Sequence, residues 1–386
     1  MIKNLRLNKY LIINFFIYIF INSLFLFKYT TRIDFLSPEI FFVAYIFFIT
    51  VFFLLCKFIN VRSNFQKVLL VFLLVLTGIF IVFIQNKINP VDINVDRWSA
   101  INNFILNLFQ GISPYSAQTH LGGYGSPFPV WQIFHIPFFL LGDIALAMVF
   151  CFLCFIITIK WFTDSNKVAL SSLFMLTLSP AFWYEVLVRS DLMYNFLCVL
   201  IALLIIRKLN INIQSNTVRL GIICGLFLST RLSIFIPFAL YFFYEFKSIN
   251  FKKQIIFLFT ILLVFLLTFL PFAIWDFKTL FLSRHNPFVL QTSQSYGLEI
   301  IIVLFLIIYF SLRAKSNFDL TVSYISISFF ILVGLTFLIR AFDNKFIWSI
   351  FSSAYDISYF NMALPFTIFS LSLFYYQKTE NNNSLN

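Results

Sequence analysis

The feature that most constrains this chain is a succession of long apolar runs that polar residues interrupt only briefly. Val68–Phe83 and Ile255–Trp275 contain no charged residue at all. A helix needs about 20 such residues to cross the hydrocarbon core of a bilayer, with about 17 to 25 tolerated. Read this way, the sequence offers apolar helical segments near 10–27, 40–58, 68–85, 143–160, 168–181, 191–206, 218–231, 232–246, 253–275, 296–312, 319–340 and 355–376. The stretch 218–246 is too long for one helix and carries Arg231 in its middle, so a turn there with two short helices is expected. The fold class that follows is an all-α polytopic membrane protein with about twelve transmembrane helices. It forms one integral membrane domain over 1–386, and the polar tail 377–386 is expected to be disordered.

Composition decides the solvent. Only 11% of the residues are charged and 61% are hydrophobic, with 58 phenylalanines. A soluble domain carries about 25% charged residues, and an Asp, Lys or Arg at the centre of a membrane helix costs about 2.5–3.5 kcal/mol. The formal net charge of +12 does not indicate nucleic acid. The basic residues sit in ones and twos between apolar runs and form no basic stripe, so topology and anionic headgroups account for them. Lys3, Arg6 and Lys9 precede the first apolar run, which has no small-x-small cleavage site after it and reads as an uncleaved first helix. With the N-terminus inside, 17 of the 27 Lys and Arg fall on the cytoplasmic side. Of the acids, only Asp164, Glu245, Asp319 and Glu380 join them. Acidic residues contribute little to orientation, so their gathering outside calls for a site. Both termini are expected in the cytoplasm, and the Phe/Ile/Asn/Lys bias fits an AT-rich genome and a bacterial inner membrane. The five cysteines all lie in apolar runs, and Cys151-x-x-Cys154, with no His or second pair nearby, reads as two small buried hydrophobes.

The longest region outside the apolar segments is 86–142. In RWSAINNFILNLFQ, Trp98, Ile101, Ile105 and Leu108 recur at helical spacing, which predicts an amphipathic helix over 97–110 lying in the interface. PFPVWQIFHIPFFLLGD is apolar but broken by Pro127, Pro129 and Pro137, and reads as interfacial or re-entrant. Asp92 and Asp96 stand at the head of this region. A carboxylate at a membrane surface, roofed by such a helix, is placed for general-base work or cation binding. Taken from spacing alone, both also fit ordinary solvated loop acids. His120 and His135 have weaker claims, and His135, on an apolar segment, reads as a hydrogen-bonded structural residue.

The segment resembles the GT-C superfamily of membrane glycosyltransferases, which use polyprenyl-phosphate sugars. The matching parts are Asp96 at the start of the first large external loop, the helix 97–110, Gly111-Ile112-Ser113-Pro114-Tyr115, Tyr124-Gly125-Ser126-Pro127, and Gly142. Downstream, LSPAFWYEVLVRSDLMYNFL places Ser179, Pro180, Arg189 and Asp191 where that family has its second external loop. The likeness covers roughly 68–250, with 1–67 as two extra helices and 251–376 matching only as a helix-loop pattern. Three departures stand. The paired prolines after the tyrosine are spread out, two spans precede the catalytic loop, and no Asp-x-Asp is present, so the metal-dependent branch is a poor match.

The resemblance implies a mannosyltransferase-like enzyme. It would transfer a hexose or pentose from a polyprenyl-phosphate donor to a glycan, lipid or protein acceptor on the external face. Asp96 would act as base, with Asp92 second. Arg189, Arg231 and Arg284 would hold the lipid phosphate through the arginine fork, His285 would add a donor, and Asp191, Tyr115 and Tyr124 would line the substrate. No cofactor is implied, and no residue pattern indicates a divalent metal. For Arg189 and Arg231 the structural alternative is a snorkelling residue at a helix end. Two other functions fit part of the pattern. A transporter or flippase of lipid-linked or anionic solutes would place acids in mid-membrane and repeat its broken helices. A polysaccharide polymerase or ligase usually carries its large loop later in the chain.

Overall fold

The computed structural model describes residues 9–31, 37–55, 62–293, 297–344, 350–351 and 355–373. Cys56, Lys3, Arg6 and the tail 377–386 lie outside the described residues. Among those described, every regular element is a helix, and one isolated antiparallel bridge joins Gln118 to Tyr124. The helices, in chain order, are α1 (Lys9–Thr30), α2 (Pro38–Leu55), α3 (Ser63–Lys87), α4 (Arg97–Gln110), α5 (Pro129–Phe134), α6 (Ile136–Leu140), α7 (Leu146–Thr163), α8 (Asn166–Thr177) and α9 (Pro180–Leu187). They continue as α10 (Leu192–Lys208), α11 (Ile213–Leu228), α12 (Phe235–Ser248), α13 (Phe251–Phe277), α14 (Pro287–Thr292), α15 (Gly297–Ala314), α16 (Phe318–Asn344) and α17 (Leu364–Leu373). Six helices are long and apolar enough to cross a membrane: α1, α3, α7, α13, α15 and α16. The pair α8–α9, bent by 66°, makes a seventh when counted as one. The chain is a multi-pass helical membrane protein. Other apolar segments are shorter helical stretches of 10–17 residues, including Pro38–Leu54 of α2, α11 and the stretch Ile357–Leu373. That last stretch opens as a 3₁₀ turn over Ile357–Met362 rather than as α-helix.

Two breaks in the helices have sequence causes. Pro180 cannot donate a backbone hydrogen bond, so α8 ends before it and α9 restarts on it. The groups freed in this buried break must be paired within the protein. Asn22 of α1 does so, because its side-chain oxygen accepts from the Ser179 hydroxyl and from the Ala181 N–H at 3.2 Å. The expected turn between 218–231 and 232–246 is present, with α11 ending at Leu228 and α12 starting at Phe235. It is held from outside, since Phe128 and Val130 donate their N–H groups to Thr230 and Ser229 at 3.1 and 3.0 Å. α11 lies against α13 on a Gly221-x-x-x-Gly225 face. A Cβ on Gly221 would sit 2.7 Å from Thr260, and one on Gly225 would sit 2.8 Å from the Ile261 carbonyl oxygen. Small residues at this spacing let two backbones approach.

Contacts sort the helix ends into two groups. At one end Asn166 bonds Ser63, Lys208 reaches Asp164 and the Phe162 carbonyl, Glu245 accepts from Gln214, and Lys253 reaches Gln214. This end is basic. At the other end lie the region 88–145, the turns after α9 and α11, and the segment before α17. The expected amphipathic helix is α4, with Ile101 and Ile105 buried and Trp98 and Leu108 packed against the core. The proline-broken stretch after it forms the two short helices α5 and α6.

Candidate functional site

Asp96 occupies the N-cap position of α4, but its side chain does not cap the helix. It accepts instead from the Thr119 hydroxyl at 2.8 Å. The loop comes this close because residue 123 is glycine: a Cβ there would stand 2.9 Å from Asp96 Oδ2. Thr119 ties the two together, since its hydroxyl also accepts from the Gly123 N–H and its own N–H donates to the Gly123 carbonyl. Asp96 is half-buried, whereas Asp92 is exposed in a 3₁₀ turn and has no side-chain partner among the described residues. His120 braces this loop. Its Nε2 lies 2.9 Å from the Ile93 carbonyl and donates to it, and its Nδ1 lies 2.7 Å from the Ser99 hydroxyl, which itself bonds the Asp96 carbonyl.

The next residue, Arg97, is a hub that sequence reasoning missed. Its guanidinium donates to Ser190 at 2.9 Å, to Asp356 at 2.6 Å and to Ser358 at 2.7 Å, and lies over the Tyr359 ring at 5.5 Å. One side chain thus joins the head of α4, the turn after α9 and the segment before α17. Burial works against its charge, but Asp356 and then Glu185 outweigh that and push its pKa up. Burial likewise opposes the Asp356 charge, and Arg97 with the Ser358 hydroxyl and N–H holds that carboxyl below the usual range. Glu185, fully buried beneath, accepts from Asn361 at 2.8 Å and from the Met193 N–H at 3.2 Å.

Arg231 and Asp191 form a buried ion pair at the turn after α11 and the start of α10, 7% and 1% exposed. Trp131 of α5 donates its indole N–H to the same Asp191 oxygen at 2.7 Å. Arg231 spends one nitrogen on Asp191, its Nε has no partner, and its side chain lines a cavity of about 80 Å³. Ser126, Ser233, Gln291, Thr336, Tyr355 and Tyr359 share that lining. Gln291 bridges two walls, donating to the Ser126 carbonyl at 2.7 Å and accepting from the Leu232 N–H at 2.8 Å. Behind it Thr336 donates to Glu299 at 2.7 Å.

The remaining expected site residues are dispersed. Arg189 pairs with Asp143 and donates to the carbonyls of Gln85 and Ile88 at the end of α3. These are carbonyls that a helix C-terminus leaves unpaired, and a cation is favourable there. Arg189 is thus neither a snorkelling residue nor open to a ligand in this geometry. Tyr115 is buried against Phe104 and Phe272, with ring centroids 4.9 and 5.7 Å away. Tyr124 stacks on His285 at 5.0 Å, and Arg284 beside it is exposed with no partner among the described residues. Asp191, Arg231 and Asp96 share the Arg97-centred end of the bundle, while Arg284 and His285 lie on its surface. His135 is a buried structural residue: its Nδ1 donates to the Trp131 carbonyl and Tyr194 bonds its Nε2 at 2.6 Å. Cys151 faces Cys198 of α10 at 3.3 Å, not Cys154. Among the described residues no group of three or more His, Cys, Asp or Glu is placed to hold a metal. No family model, curated protein or solved structure matches this chain.

Proposed function

We propose that the protein is a GT-C-like membrane glycosyltransferase that moves a hexose or pentose from a polyprenyl-phosphate donor to a glycan, lipid or protein acceptor. The observation that carries this reading is Arg231. It is a nearly buried cation that gives one guanidinium nitrogen to Asp191, while its other terminal nitrogen has no partner among the described residues, and it lines a cavity of mixed polar and apolar walls at the same end as Asp96. Transfer from a lipid phosphate asks for a carboxylate to take the acceptor proton and for a cation where phosphate charge develops. Asp96 fills the first role and Arg231 the second. Arg284 and His285, exposed on the loop that Gln291 ties to this cavity, meet the incoming substrates. Asp191 orients Arg231.

In this reading all twelve apolar segments cross the bilayer, α5 and α6 form a re-entrant stretch, and the basic end with both termini faces the cytoplasm of a bacterial inner membrane. Membranes holding the protein should transfer labelled sugar from a polyprenyl-phosphate donor, and Asp96→Asn should abolish transfer at normal expression. Full activity of D96N would remove the assignment of the base. Reporter fusions at Ser116 and Ser165 should report opposite sides.

A further inference from the structure

The segment before α17 lies outside 68–250, where the expected site residues Asp96 and Arg231 fall, yet it forms one wall of the Arg231 cavity through Tyr355, Tyr359 and Met362. The two tyrosines differ in what their hydroxyls do. Tyr355 donates to the Val333 carbonyl at 3.3 Å, so its hydroxyl is committed to backbone. The Tyr359 hydroxyl makes no hydrogen bond among the described residues. This hydroxyl is not sealed inside the protein, so it is free to donate to a ligand that enters the cavity.

Tyr359 is also held in place. Asp356 caps the 3₁₀ turn by accepting from the Ser358 N–H at 2.9 Å. With three residues per turn, positions 356 and 359 fall on the same side. Both therefore meet Arg97, Asp356 through its carboxylate at 2.6 Å and Tyr359 through its ring at 5.5 Å. Arg97 is in turn anchored to Ser190. The ring thus has little freedom, and Tyr359 lines the same small space as Arg231.

The geometry points to Tyr359 as a substrate-contacting residue whose hydroxyl donates a hydrogen bond to the phosphate of a lipid-linked ligand held by Arg231. Arg97 is the positioning residue that holds the ring in register. This rests on the transferase reading for the identity of the lipid, but the phosphate contact itself needs only the cavity and its two donors.

The test measures binding of polyprenyl phosphate, and of the matching unphosphorylated alcohol, to the full chain in lipid nanodiscs. It compares wild type with Tyr359→Phe and Tyr355→Phe. Loss of one hydrogen bond to a charged acceptor weakens binding by about ten- to hundredfold. Y359F is expected to lose that much affinity for the phosphate and none for the alcohol, at unchanged melting temperature. Y355F, which removes a hydroxyl committed to the Val333 carbonyl, is expected to lower the melting temperature. Equal phosphate binding by wild type and Y359F overturns the role of Tyr359 and leaves the transferase reading standing. Equal binding of phosphatidylglycerol, with the same loss in Y359F, keeps Tyr359 as a phosphate contact but overturns the donor as its natural ligand. No phosphate binding by wild type overturns both.

Discussion

The Arg231–Asp191 pair allows structure and function to be separated in one experiment. Both side chains are almost fully buried, and among the described residues Asp191 has only Arg231 and the Trp131 indole as side-chain partners. Replacing Arg231 by Met keeps length and removes charge, leaving a buried carboxylate with a single neutral donor. Breaking a buried pair from one side costs about 3–5 kcal/mol, or roughly 140- to 3,700-fold in the folding equilibrium at about 1.4 kcal/mol per decade. Replacing both partners avoids the stranded charge. In Asp191→Asn/Arg231→Met the amide oxygen still accepts from Trp131, so the double variant should recover to within about 1–2 kcal/mol of wild type. Survival of the monodisperse protein after graded heating in detergent reads this out. Binding of polyprenyl phosphate should follow a different pattern: it should be lost in both variants lacking Arg231, however stable they are, and persist in D191N alone. Additive stability losses in the double variant would refute the coupling, and phosphate binding by the stable double variant would refute the role of Arg231.

Other expectations follow from particular contacts. Gly225→Ala should destabilise by about 1–3 kcal/mol, because the new Cβ meets backbone at 2.8 Å. Gly334→Ala, where nothing lies within 4 Å, should stabilise by up to about 1 kcal/mol through helix propensity. Thermal survival of the two should move in opposite directions. Arg97→Lys replaces a planar fork that serves three partners and a ring with a point charge. It should cut sugar transfer at least about tenfold in folded protein, and Asp356→Asn should add little on that background; an additive loss would contradict a shared role. Burial pushes His135 down to about 4 against a contrary pull from the Trp131 carbonyl. Its folded value lies below the unfolded one of about 6.5, so its contribution is complete above pH 6.5 and is lost as pH falls towards 4. Thermal survival should show that slope, and His135→Gln should flatten it.

What the sequence by itself determined is the class of molecule and the rhythm of its helices. The absence of charge over runs such as Val68–Phe83 leaves lipid as the only workable solvent, and 3.6-residue periodicity places α4 to the residue. The break at Pro180 fell inside the segment 168–181, which reads in sequence as one unbroken run, whereas the turn at Arg231 was legible because a mid-run charge is a local signal. Asp96 was legible for a similar reason, as a carboxylate heading an amphipathic helix. Tertiary structure alone decided which cations face a cavity and which are consumed. Arg189 and Arg231 look alike in sequence, each near a helix end in an apolar context. Their roles diverge because the end of α3 presents unpaired carbonyls to Arg189, whereas Arg231 finds one buried carboxylate and open space. Asp356 and Tyr359 were invisible for another reason: they pair with Arg97 across more than 250 positions of sequence, and no local pattern records a contact made only when the chain returns to the same end of the bundle.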